Sequence, residues 1–258
     1  MVTETKNPAQ EQENELEEGE GSKVQKPPKK VISTGHPEID KKLAGGIPAG
    51  SLVLVEGESD AGKSVLCQQI MWGSLASGIK VLVFTAENTI RSLIVQMDSL
   101  GMGITDQLLM GNLKIYAMKL SKLRAMSACD TLQQLLEAME AKDTYGLCIV
   151  DSMTPIVSQT SGDEALSYFE RCKALCDKGR TVINVTHTYA FDQDLLIRVR
   201  SVSDAHFRLM IEKVGDKLVK TLEVAKIRGA QQNTGNILTF DVEPEVGMKI
   251  MPISKAKA

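Results

Sequence analysis

One stretch limits what this chain can fold into more than any other: Gly57-Glu58-Ser59-Asp60-Ala61-Gly62-Lys63-Ser64. It has the spacing G-x-x-x-x-G-K-[ST] of the Walker A phosphate loop. Its flanks give that spacing mechanical meaning. Leu52-Val53-Leu54-Val55-Glu56 is an apolar, β-branched run that reads as a buried strand, and Val65 to Trp72 reads as a helix. A glycine-rich turn between the two lets successive backbone N–H groups converge on phosphate oxygens, backed by the helix N-terminus. Gly57, Ser59, Asp60, Ala61, Gly62, Lys63 and Ser64 are therefore the candidate nucleotide contacts. Lys63 is expected at the β- and γ-phosphates of ATP, with the Ser64 hydroxyl on Mg²⁺.

The pattern along the chain supplies the frame. Residues 1–30 carry seven Glu and five Lys and almost nothing to bury, so they read as a disordered charged tail. From Val31 the character changes, and 31–258 reads as one domain. A short helix (Pro37 to Leu43) leads into the turn cluster Gly45-Gly46-Ile47-Pro48-Ala49-Gly50. Strands are then expected at Lys80–Ala86, Leu113–Ala117, Gly146–Asp151 and Thr181–Thr186, with helices between them, notably Ser127–Ala141 and Asp163–Lys178. Helical segments alternating with short apolar strands imply an α/β fold with a mostly parallel sheet and helices on both faces. After residue 205 the spacing tightens. His206–Lys213, Lys217–Ile227, Asn236–Val242 and a strand near Met248–Met251 read as antiparallel hairpins extending that sheet, with Gly215-Asp216 and Gly247 as turn signals.

The frame directs the search for further groups to the carboxyl ends of the strands, where open α/β sheets bind ligands. Leu147-Cys148-Ile149-Val150-Asp151 is an apolar strand ending in Asp, the Walker B arrangement, and Asp151 would hold Mg²⁺, most simply through water. Glu87 ends the strand Val81–Ala86 on the same edge and is the candidate base for a hydrolytic water; the alternative is a Glu that caps the next helix. Asn88 beside it cannot act as a base. His187, also at a strand end, is a candidate γ-phosphate sensor or simply a half-exposed histidine. His36 and His206 read as structural.

Composition removes several classes of function. The residues after the tail carry 26 acidic and 25 basic side chains, which lacks the electrostatic footprint of a dedicated nucleic-acid binder. The five cysteines form no C-x-x-C pair. Cys172 and Cys176, one helical turn apart without a nearby His, read as buried thiols rather than a metal site. The N-terminus is acidic and no apolar run approaches membrane-spanning length, so a cytoplasmic protein is expected.

The run Ile32-Ser33-Thr34-Gly35, Asp40, Leu43, Gly45-Gly46-Ile47-Pro48 and Gly50, followed by the phosphate loop, resembles the entry to KaiC-type members of the RecA superfamily. So does Lys226-Ile227-Arg228 on a late strand. The resemblance covers about 31–253 and implies a RecA-like fold and a homo-oligomeric, six-membered ring in which Lys226 and Arg228 reach the nucleotide of the neighbouring subunit. Asp151-Ser152-Met153-Thr154-Pro155 and Asn184-Val185-Thr186-His187-Thr188-Tyr189-Ala190-Phe191, in a single-domain chain, are similar to the ATP-binding accessory branch of that family in the archaellum motor. That likeness implies partners among the motor ATPase and the cytoplasmic ring or platform components, at the inner face of the cell membrane.

Two features point away from fast turnover. Glu58 and Asp60 make the loop potential less positive, and Asn88 stands where clock-type relatives carry a second Glu. Both suit a nucleotide-controlled switch. The rivals are a DNA recombination or repair ATPase and a signalling autokinase. The first needs a basic channel, yet Ser158–Glu164 is acidic and Asp192–Asp204 has only Arg198 and Arg200 against three Asp. Ser and Thr are too common for the sequence to decide the second.

Overall fold

The computed structural model describes residues 30–118, 126–214, 217–229 and 237–251. The expected tail up to residue 29, the Gly215-Asp216 turn and the domain's last residues, 252–258, lie outside these. In chain order the strands are β1 (Val31–Ile32), β2 (Ile47–Pro48), β3 (Leu52–Gly57), β4 (Val81–Thr85), β5 (Leu113–Ala117), β6 (Leu147–Asp151), β7 (Thr181–His187), β8 (Ala205–Val214), β9 (Lys217–Ile227), β10 (Ile237–Glu243) and β11 (Gly247–Met251). The α-helices are α1 (Pro37–Lys42), α2 (Lys63–Ala76), α3 (Ile90–Ser99), α4 (Thr105–Leu109), α5 (Ala128–Glu140), α6 (Thr154–Val157), α7 (Gly162–Asp177) and α8 (Gln193–Val202).

Nine strands form one sheet in the order β11-β10-β9-β8-β3-β7-β6-β4-β5. From β8 to β5 every pairing is parallel; β9, β10 and β11 add antiparallel strands beyond β8. β8 forms the expected antiparallel hairpin with β9. On its other edge it lies parallel to β3, with Glu56 opposite Arg208, because α8 returns the chain to the amino end of the sheet before β8 begins. The turn cluster at 45–50 also holds a short strand, β2, paired antiparallel with β1.

The two-residue period of β3 sorts its side chains between two cores. Val53 and Val55 pack with α2 and α3 residues such as Leu66, Ile70, Leu93 and Met97. Leu52 and Leu54 pack with α5, α7 and α8 residues such as Leu135, Phe169 and Leu196. All six β3 residues are buried, as a central strand covered on both faces requires. Helix starts follow capping chemistry. Ser161 and Glu164 make a reciprocal capping box on α7, Thr89 and Ser92 do so on α3, and the side chains of Ser127 and Asp192 cap α5 and α8. Cys67, Cys148, Cys172 and Cys176 are buried and Cys129 is exposed; no cluster of three or more potential metal ligands occurs among the described residues. Among those residues no helix is long and apolar enough to cross a membrane.

Candidate functional site

The carboxyl ends of β3, β4, β6 and β7 meet on one edge of the sheet, and the register fixes their neighbours. Thr85 of β4 pairs with Asp151 of β6, and Gly57 of β3 pairs with His187 of β7. The segment from Gly57 to Ser64 turns from β3 directly into α2, whose first residue is Lys63. Two glycines make that turn feasible. A Cβ on Gly57 would lie 2.4 Å from the Leu209 carbonyl oxygen, so β8 comes this close only because the side chain is absent. Gly62 has φ +94° and no room for a Cβ against Phe240. Asp60 also adopts a left-handed conformation, φ +61°. Glu58, Ser59 and Asp60 are exposed, and within the loop the Ala61 N–H donates to the Glu58 carbonyl at 3.4 Å.

A cleft of about 540 Å³ opens over this turn, lined by Ser59, Asp60, Gly62, Lys63, Ser64, Val65, Glu87, Asn88, Gln96, His187, Lys220 and Val242. Lys63 is nearly buried and its Nζ donates to the Glu58 carbonyl oxygen at 2.6 Å. Burial lowers its pKa, against the opposing pull of Glu87, Asp151 and Asp60. The Ser64 hydroxyl donates to Glu87 Oε2 at 3.4 Å. Asp151 is buried behind them with Oδ1 lacking any partner. Burial, then the nearby Glu87 charge, raises its pKa to about 7, against the lowering effect of Ser64 and Lys63. A hydroxyl and two carboxylates in one place form an oxygen donor set suited to a hard cation such as Mg²⁺. The orphaned Asp151 oxygen is the observation that favours such a group.

Glu87 does not cap α3; Thr89 does, so the structural alternative for Glu87 falls away. Asn88 Oδ1 accepts from Ser92 Oγ at 3.1 Å. His187 lines the cleft with Nδ1 3.0 Å from Thr154 Oγ1 and its ring stacked on Tyr189 at 5.1 Å. Burial, then the Lys63 charge, lowers its pKa against the opposing pull of Glu87 and Asp60. Gly57 and Ala61 shape the turn as buried residues.

Lys226 and Arg228 lie elsewhere: neither lines the cleft. Lys226 donates to the carbonyl oxygens of Arg200 at 3.0 Å and Ser203 at 2.6 Å, at the C-terminal end of α8. Arg228 sits one residue past β9, half exposed, and donates to the Ser201 carbonyl at 3.0 Å. Sequence reasoning missed Lys220, which β9 carries to the cleft; its Cδ is 3.8 Å from where a Cβ on Gly62 would stand. A lone Lys on an alternating strand gives no spacing signal, and only the β8–β9–β10 pairing brings it over the loop.

Comparison with known proteins agrees with this geometry. The family model described as "ATPase: KaiC" matches residues 32–255. The archaeal flagellar ATP-binding protein FlaH of Sulfolobus acidocaldarius is 27% identical over 230 residues, 88% of this chain and 100% of that protein. The crystal structure of flagellar accessory protein FlaH from Methanocaldococcus jannaschii superposes with a TM-score of 0.75 at 25% identity, covering 87% of this chain and 100% of the other. The KaiC-like protein PH0186 from Pyrococcus horikoshii shares the fold, with a TM-score of 0.70 at 19% identity over 87% of this chain and 100% of its own. With the family model spanning nearly all of the described residues, this chain belongs to the KaiC family of ATPases, on a RecA-like α/β fold.

Proposed function

We propose that the chain is an ATP-binding ring subunit whose nucleotide state controls its assembly with the archaellum motor, at the inner face of the cell membrane. One observation carries the binding part: Lys63, Ser64, Asp151 and Glu87 converge at the mouth of a glycine-rich loop, under a cleft of nucleotide size. In this reading the 57–64 backbone and Lys63 hold the polyphosphate. Ser64 would hold Mg²⁺, with Asp151 holding it through water, and the bound ion would supply neutralisation of phosphate charge. Glu87 takes the proton of an attacking water, and His187, tied to Thr154, registers the γ-phosphate. The flagellar part rests on relatives named as archaeal flagellar ATP-binding proteins, matched over 93–100% of their length. The motor ATPase and the cytoplasmic ring or platform components are the proposed partners. Turnover by a lone subunit is slow, because Lys226 and Arg228 can serve only a neighbour's site. A nucleic-acid role is disfavoured: Arg198 and Arg200, the cations available on Asp192–Asp204, face Asp163 and Glu56.

Calorimetry tests the binding claim. Lys63→Ala removes charge-assisted hydrogen bonds to phosphate and should weaken Mg-ATP binding roughly ten- to hundredfold. Unchanged affinity would remove the basis of the whole reading.

A further inference from the structure

Glu56, the residue immediately before the phosphate loop, is fully buried yet charged. Arg200 forms a short ion pair with its Oε1, His206 Nε2 lies 3.3 Å from the same oxygen, and Arg208 Nε lies at 3.8 Å. Burial pushes the Glu56 carboxyl up, but His206 and Arg200 outweigh it and hold it below the ordinary range. Arg200 also stands in the last turn of α8, and its own carbonyl oxygen is one of those that Lys226 holds. Lys226 Nζ reaches Ser201 O at 3.4 Å and Ser203 O at 2.6 Å as well, so it serves as the C-cap of α8. A continuous chain of contacts thus runs from Lys226 through Arg200 and Glu56 to Gly57. A buried carboxylate paired mainly through one arginine tolerates little displacement of that arginine, since an unpaired charge at that depth is costly.

We infer that Arg200 is a positioning residue that couples Lys226 to the phosphate loop of its own chain. The inference rests on the proposal that the pair serves a neighbour's nucleotide. To reach a neighbouring phosphate, Lys226 must leave the carbonyls of residues 200, 201 and 203. That loosens the end of α8, shifts Arg200 against Glu56 and alters how Gly57 enters the loop. Occupancy of one site is thereby felt at the next.

Coupling of this kind needs a thermodynamic cycle, because spatial intermediacy alone does not establish it. The cycle comprises the full chain as wild type, Lys226→Met, Arg200→Gln and the double variant, with Arg200→Lys as the conservative control. Affinity for a fluorescent Mg-ATP analogue and amide exchange over 57–64 are measured at a dilution where light scattering gives the monomer mass. Lys226→Met should change the affinity by about two- to thirtyfold and speed exchange in the loop, although Lys226 touches neither loop nor cleft. Arg200→Gln should do the same, the double variant should match either single one, and Arg200→Lys should keep most of the wild-type affinity and exchange. Wild-type affinity and exchange in Lys226→Met, or additive losses in the double variant, overturn the inference. Where Arg200→Gln does not fold, Lys226→Met decides alone. The readout is monomeric, so a failure of ATP-driven assembly would sink the ring proposal without touching this result.

Discussion

At the residue scale, the site combines groups that a sequence marks with groups that only a fold assembles. Lys63, Ser64 and Asp151 belong to spacings that declare their chemistry. Asp151 carries a stability consequence as well. Its Oδ1 is buried without a partner, so without nucleotide the carboxylate works against the folded state. Asp151→Asn should therefore raise the melting temperature of the nucleotide-free protein at neutral pH by several degrees. The same change should abolish the further stabilisation that Mg-ATP gives the wild type. A scan with and without Mg-ATP checks both; a lower melting temperature without ligand would show that the carboxylate has a compensating role. Lys220 is the opposite case, invisible until β9 and β10 place it over Gly62. As a half-exposed cation beside the polyphosphate it should contribute modestly. Lys220→Ala should cost about two- to fivefold in ATP affinity, more at low salt than at high. Equal affinity at low salt would remove Lys220 from the site.

At the scale of elements, what was legible followed periodicity and capping. The apolar runs at 113–117 and 147–151, and the helical stretches at 127–141 and 163–178, announced β5, β6, α5 and α7 to within a residue or two. The parallel partner of β8, β3, was not legible, because that pairing depends on the path of α8 and not on the composition of β8. The Glu56 cluster was hidden for a related reason: Glu56 ends an apolar run, and its partners Arg200, His206 and Arg208 come from about 150 residues later in the chain. Asp204, between α8 and β8, shows how such long-range polar contacts lock elements together. Its Oδ2 accepts from the buried Leu52 N–H and from Lys173 Nζ, both at 2.9 Å, joining β3, α7 and the end of α8. Asp204→Ala would leave the buried Leu52 amide without its acceptor, while Lys173 keeps its pair with Asp177. A loss of about 1–3 kcal/mol in unfolding free energy is expected by urea titration. A loss under 1 kcal/mol would mean that solvent replaces the carboxylate at no great cost.

At the scale of the whole molecule, the proposal is a site shared between neighbouring chains. The cleft has its loop, its oxygen donors and Lys220, but Lys226 and Arg228 sit on other ground against the end of α8. If these cations serve the nucleotide of a neighbour, ATP is shared across a head-to-tail interface, which closes only when its rotation fits a whole number of subunits. Six is the number that the family resemblance implies. ADP lacks the γ-phosphate, and a ligand shifts an equilibrium only through its differential affinity for the two states. ATP should therefore favour the ring much more than ADP does. Arg228 is the better probe of the pair, being half exposed and tied to the chain by fewer contacts than Lys226. Arg228→Ala should leave ATP binding to the monomer close to that of the wild type, because the proposed site in the same chain is built from Lys63, Ser64 and Asp151. It should weaken ATP-dependent assembly. Light scattering of wild type and Arg228→Ala with ATP, ADP and no nucleotide gives six masses to compare. A ring mass confined to wild type with ATP supports the shared site. One mass throughout returns Lys226 and Arg228 to the role that their contacts already describe, a basic cap on the carbonyl end of α8.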